Sequence, residues 1–182
     1  MNMYFVALVA PEDINKQVVK WKHWMKERYQ CEVALRSPAH VTLVPPFWMR
    51  PELENNLDDS ITKFSIHQKS FRVQLNNFSH FKSKVIFIDV ATNDQLTKMK
   101  DDLSRFLLNS GKYPLKEDGR SFHPHVSIAN RDLHKTAFYE AWEHFKEKRY
   151  AADWMVQSIS LLKHNNRNWD VIASSLLIKE SS

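Results

Sequence analysis

FHPHVSIAN, residues 122–130, sets two histidines and a serine among valine and isoleucine in what reads as a strand. A polar side chain in apolar surroundings must be hydrogen-bonded or must have work to do, because leaving it unpaired costs free energy. AHVTLVPPF, residues 39–47, poses the same problem with His40 and Thr42, in a strand that reads over roughly 39–44. Side chains two apart on a strand share a face at roughly 6–7 Å, and the residues between them face the other way. His40 and Thr42 therefore stand together, anchored from behind by Val41 and Leu43. His125 and Ser127 repeat the arrangement over Val126 and Ile128. His134-Lys135-Thr136 has the same spacing, but it lies in a polar stretch leading into a helix and reads as the stray match that a short motif attracts.

Outward from these strands, the pattern alternates strands with amphipathic helices. Residues 3–10, MYFVALVA, read as a buried strand closed by Pro11. Ile14, Val18, Trp21, Met25 and Tyr29 recur at helical spacing. Pro51 opens a second helix with Leu53, Leu57, Ile61 and Phe64 on one side. FRVQLNNF and KVIFIDVA (84–91) are strands, and TNDQ (92–95) has the form of a capping box before a helix striped by Leu96, Met99, Leu103, Phe106 and Leu107. A polar loop leads to the strand at 124–129. Phe138, Trp142 and Phe145 mark another helix, and the tail from Trp154 reads as a hairpin turning at 164–168. Each His-x-Ser/Thr strand thus follows a strand and a helix of similar length. The expectation is an α+β fold of two pseudo-symmetric sheet-and-helix lobes around a central cleft, in a single domain spanning 1–182.

The composition narrows the function. The chain is 43% apolar with 26% charged residues, as a soluble globular protein is, and YFVALVA has no basic lead-in before PED, so it reads as a strand rather than a signal peptide or membrane span. A lone cysteine, Cys31, excludes intrachain disulfides and a CxxC zinc framework, and points to a reducing cytoplasm. Twenty-six basic against 21 acidic residues lean towards phosphate-bearing partners. Only two glycines, Gly111 and Gly119, exclude the P-loop and the dinucleotide fingerprint, which need clustered glycines. Phosphate must be handled by side chains. If the two strands lie side by side, two imidazoles and two hydroxyls converge. One imidazole can take a proton from an attacking oxygen, the other can protonate a leaving oxygen, and the hydroxyls can hold non-bridging oxygens.

Paired H-x-T/S-apolar motifs roughly 80–90 residues apart in a chain of this length resemble the 2H phosphoesterase superfamily, which includes the RNA 2′,3′-cyclic phosphodiesterases also called 2′-5′ RNA ligases. The resemblance implies a bilobal fold, metal-free catalysis without a cofactor, and a substrate with a 2′,3′-cyclic phosphate or a 2′-5′ linkage. It makes His40 and His125 the catalytic pair and Thr42 and Ser127 the phosphate ligands, with Arg131 as the arginine that follows the second motif. The first motif runs on as LVPPF rather than into the apolar pair and glycine common in the family, which leaves the substrate open: an RNA end, a 2′-5′ oligonucleotide, or a cyclic phosphate of an ADP-ribose derivative.

Phe47, Trp48 and Phe122 flank the motifs as possible stacking surfaces for a base. Arg36, Arg120 and Arg131 are candidate phosphate contacts. His123, His125 and His40 offer a rival reading as metal ligands, but no Asp, Glu or Cys nearby completes a shell and the hydroxyls would then have no role. KHNNRN (163–168) reads as a solvated basic turn, and Trp21, Trp24 and Trp142 as packing residues. A non-catalytic RNA-binding module is the rival from another class. The expected protein is a monomer acting on RNA ends or nucleotides, with no membrane association.

Overall fold

The computed structural model describes residues 1–117, 119 and 121–179; Arg120, one of the arginines above, lies outside them. The chain runs β1 (Asn2–Val9), α1 (Glu12–Tyr29), β2 (His40–Met49), α2 (Glu54–Ser65), β3 (Phe71–Phe81), β4 (Val85–Val90), α3 (Asp94–Asn109), β5 (His125–Ala129), α4 (Lys135–Phe145), β6 (Ala151–Val156), β7 (Ser158–His164) and β8 (Trp169–Leu176). Two four-stranded antiparallel sheets result, ordered β2-β1-β7-β8 and β5-β4-β3-β6. β2 and β5 occupy the matching edge of their sheets, so the two-lobed α+β expectation holds. No described helix is long and apolar enough to cross a membrane.

The helices exchange lobes. α1 leaves the first sheet between β1 and β2, yet it packs on β5, with Trp21 edge-on to Phe78 and Tyr150 and Trp24 edge-on to Phe145. α3 leaves the second sheet and packs on β2 and α2. Antiparallel neighbours need no crossover to connect them, so their linking helices are free to cover whichever sheet has an open apolar face. One continuous core joins the lobes as a result, from Tyr4 and Leu43 through Val18 and Met25 to Val126 and Phe145.

Several elements differ from the sequence reading. The tail contributes three strands rather than one hairpin: 151–156 pairs with β3 in the second sheet before β7 and β8 complete the first. β2 continues past Val44, where the sequence reading ended it, through Pro45 and Pro46 to Met49, which an edge strand permits because prolines there forfeit no ladder hydrogen bond on the open side. The α3 cap is Asn93 rather than Thr92, its Oδ1 accepting the Leu96 N–H at 2.9 Å. Phe106 is 41% exposed, with one ring face against Phe64 at 5.8 Å.

Candidate active site

The edge strands β2 and β5 approach each other with Cα atoms within 8 Å across the junction of the lobes. On β2 the side chains of Val41 and Leu43 are buried while His40 and Thr42 are half-exposed; β5 repeats this with Val126 and Ile128 behind His125 and Ser127. The four polar side chains face one cleft. Its apolar half, a cavity of about 540 Å3, is walled by His125, Thr42, Phe81, Phe122, Pro46 and Lys100. Its polar half, about 310 Å3, is walled by His40, Ser127, Asn130, Arg131, Arg36 and Trp169, and the halves share Thr42 and Pro46.

Both imidazoles are held by the same device. His40 Nδ1 lies 2.7 Å from the Pro38 carbonyl, and His125 Nδ1 lies 2.7 Å from the His123 carbonyl. A carbonyl only accepts, so Nδ1 carries the hydrogen in each ring and Nε2 keeps the lone pair. Each ring also rests on an aromatic from the next strand inward: Phe5 lies 4.9 Å from His40, and Phe87 lies 5.0 Å from His125. Phe81 meets the His125 ring edge-on at 5.0 Å. Among the described residues neither the Thr42 nor the Ser127 hydroxyl is taken by a partner, so both remain available to an incoming oxygen.

The electrostatics favour neutral rings in the free protein. Burial above all pushes His40 from 6.5 down to about 4, with the Lys22 ammonium and the second imidazole acting in the same direction, against the hydrogen bond to Pro38. His125 is also lowered, first by burial, against the raising effect of its own carbonyl bond and, more weakly, of Asp89. Lys22 is itself unusual: it sits on α1 with 2% exposure, donates from Nζ to the Ser37 carbonyl at 3.0 Å, and is lowered by burial from 10.5 to about 8.

Two further groups brace the site. Asp132, just past β5, accepts the Glu32 and Val33 N–H groups at 2.7 and 2.9 Å and so ties the 3₁₀ turn Val33–Arg36 to the second lobe. The Oδ1 atoms of Asn130 and Asp132 are buried without a partner. His123 turns its Nε2 to Asp89 Oδ1 at 3.0 Å rather than towards His40, and among the described residues no three His, Cys, Asp or Glu side chains gather where they could hold a metal ion.

Of the predicted contacts, Phe122 and Arg131 stand in the cleft, one in each half. Phe47 does not. It lies on the face of β2 opposite Thr42, 8% exposed and packed against Tyr4, because the alternation that turns Thr42 outwards, shifted by a bulge in the β1–β2 pairing, turns Phe47 to the core. Lys22, Asp132, Phe5 and Phe87 escaped the sequence reading. Only Lys22 left a trace there, as a lysine one residue from the apolar stripe of α1.

The family model described as the 2′-5′ RNA ligase superfamily matches residues 10–168. The chain belongs to the 2′-5′ RNA ligase superfamily. This is the 2H phosphoesterase family that the paired motifs resemble. No curated protein matches the chain in sequence. Among solved structures, E. coli LigT complexed with 3′-AMP superposes at a TM-score of 0.72 with 19% identity, covering 97% of this chain and 98% of that one. TT0787 of Thermus thermophilus superposes at 0.67 with 16% identity over 100% of both chains. E. coli LigT complexed with NADP+ gives 0.65 with 17% identity, covering 97% of this chain and 98% of the other. At these identities the likeness is one of fold, and within the superfamily the chain is a 2H phosphoesterase-like protein.

Proposed function

We propose that this protein is a metal-independent phosphodiesterase that hydrolyses a 2′,3′-cyclic phosphate on an RNA end or a nucleotide. The observation that carries this reading is the matched pair His40 and His125, each with Nδ1 held by a backbone carbonyl and each two residues from a free hydroxyl on one cleft wall. One neutral imidazole takes the proton of a water molecule as its oxygen bonds to phosphorus. The other, as imidazolium, gives its proton to the ribose oxygen as the P–O bond breaks, leaving a phosphate monoester. The two rings then hold each other's starting protonation and reset through solvent. Thr42 and Ser127 donate to the non-bridging oxygens, whose charge grows in the transition state. The bound phosphate, being anionic, raises both imidazole pKa values and makes one imidazolium accessible near neutrality.

The fold shared with LigT, which has been crystallised with 3′-AMP and with NADP+, supports a nucleotide ligand. So does an apolar half of about 540 Å3, within the usual range for a small-molecule site, with Phe122 to face a base. The test is turnover by purified protein, in excess chelator, on 2′,3′-cyclic nucleotides, cyclic-phosphate RNA ends and 2′-5′ dinucleotides. Each of His40→Ala and His125→Ala should lose about 10²–10⁴-fold in kcat with the fold retained. Full activity in His125→Ala overturns the proposal, and salt-sensitive RNA binding that ignores both histidines, without turnover, points instead to a binding module.

A further inference from the structure

The two imidazoles are held alike, yet the chain leading into each is held differently. Before His40, residues 37–39 are tied to α1 and to the end of β1. Lys22 Nζ donates to the Ser37 carbonyl at 3.0 Å, the Ala39 N–H donates to Asn15 Oδ1 at 2.7 Å, and the Ala10 N–H donates to the Ala39 carbonyl at 2.9 Å. The Pro38 carbonyl that orients His40 is thereby fixed from both sides. Before His125 there is no such bracing. The β4–β5 ladder starts, on the β5 side, at His125 itself, paired with Asp89. Among the described residues, the only hydrogen bond from a side chain of 121–124 to the sheet runs from His123 Nε2 to Asp89 Oδ1, at 3.0 Å.

Both ends of that bond are firmly set. Asp89 stands directly opposite His125, so the two side chains leave the same face of the sheet. Its Oδ1 also accepts the Val90 N–H at 3.1 Å, which orients the carboxylate. The His123 ring lies edge-on to Phe81 at 5.1 Å and to Phe87 at 5.5 Å, the same two rings that flank His125 at 5.0 Å each. Pro124, between the histidines, favours an extended backbone at His123. The carbonyl of that residue receives the His125 Nδ1 hydrogen at 2.7 Å. As a source of stability the pair is poor, because both side chains are half-exposed and a solvated pair adds little. As a brace it is well placed. A shift of the His123 peptide by about 1 Å breaks the bond that keeps the hydrogen on Nδ1, and a misplacement of that size at a reacting group costs about 10²-fold in rate.

We propose that His123 and Asp89 are positioning residues for His125: the Asp89 carboxylate holds the His123 ring, the ring fixes its own peptide carbonyl, and that carbonyl sets the tautomer and direction of the His125 imidazole. The effect on rate rests on reading the histidine pair as a cyclic phosphodiester site; the effect on the imidazole does not.

The experiment reads the His125 tautomer by two-bond 1H–15N NMR correlation in mildly alkaline solution, where the ring is neutral. Thermal melts accompany it, with kcat and KM on a 2′,3′-cyclic nucleotide. The wild type is compared with His123→Ala, Asp89→Ala, their double variant and His123→Gln. The wild type should show His125 with its hydrogen on Nδ1. Each alanine variant should release it towards the Nε2–H form that free histidine favours, and lower kcat by about 10–100-fold with KM and Tm little changed. The double variant should be no worse than either single, as befits two parts of one device. His123→Gln, whose amide can still donate to Asp89, should recover most of the loss. An Nδ1–H tautomer that survives in both alanine variants overturns the proposal, as does a shifted tautomer with kcat unchanged. So does a loss in Asp89→Ala that His123→Ala does not reproduce, which would mean that the carboxylate acts on His125 directly, and so does a glutamine variant as poor as the alanine one. If the wild type turns over no cyclic phosphate, the reading of the histidine pair fails on its own. The tautomer then decides the positioning role, which stands if the alanine variants shift it and falls if they do not.

Discussion

Replacing Lys22 with methionine removes the buried ammonium nearest the His40 loop while keeping the side chain's volume. In the folded protein Lys22 titrates at about 8 instead of 10.5, so at neutral pH its burial costs about 3 kcal/mol. The unfolded chain binds more protons between those values, so this cost is full below pH 8 and is relieved as pH rises towards 10.5. Lys22→Met removes it, and leaves the Ser37 carbonyl without its charged donor, a loss of about 1.5–3 kcal/mol. The two nearly cancel, so the variant should melt within a few degrees of the wild type at pH 7, and its Tm should fall relative to wild type between pH 8 and 10. The functional effect has one sign. Burial is the larger cause of the depression of His40 and remains; Lys22 is the next cause pushing the same way. The whole depression of His40, from 6.5 to about 4, corresponds to about 3 kcal/mol, and because burial remains in the variant only part of it is recovered. The expected result is a rise of His40 from about 4 part of the way towards 6.5, read by NMR from its ring protons. The acid limb of kcat/KM, which reports the more acidic member of the coupled pair, should move by the same amount. A folded Lys22→Met protein whose His40 still titrates at about 4 or lower refutes the electrostatic account of the site.

Thr42→Val and Ser127→Ala should each lower kcat by about 10²–10³ while leaving Tm nearly unchanged, since in the proposed mechanism each removes one donor from the developing phosphorane charge; steady-state kinetics with thermal melts checks this, and a tenth of the effect or less denies them the role. Asp132→Ala forfeits two hydrogen bonds to the Val33–Arg36 turn, at 2.7 and 2.9 Å, and should cost about 2–4 kcal/mol, a fall in Tm of roughly 5–15 °C; Asp132→Asn, which keeps an acceptor oxygen, should lose less, and equal losses would locate the effect elsewhere.

Much of the site was legible because strand alternation is a local rule. Once 39–44 and 124–129 read as strands, the facing of His40 with Thr42 and of His125 with Ser127 followed from two residues of separation, and the observed burial of Val41, Leu43, Val126 and Ile128 agrees. Alternation applied no further than the strand was drawn, and β2 was drawn too short. Phe47 was placed in the cleft by nearness in sequence, whereas its position on a continuing strand turned it to the core. The tail failed for a different reason: 151–156 and 158–164 are adjacent apolar strands separated by Gln157 alone, and nothing in their composition says that they belong to different sheets.

The sequence alone determined which polar side chains share a strand face, His40 with Thr42 and His125 with Ser127, because a polar pair within an apolar alternation is a local statement about one face of one strand. It also determined the order of elements as far as the helix at 135–145, and the absence of any glycine cradle for phosphate. The tertiary structure alone decided that β2 and β5 are matching sheet edges, that α1 and α3 trade sheets and bind the lobes into one core, and that Lys22 lies buried beneath the His40 loop. Those features depend on contacts between segments far apart in the chain. Several pairings bury comparable apolar area, and the choice among them belongs to the packing of the whole molecule rather than to any one stretch of it.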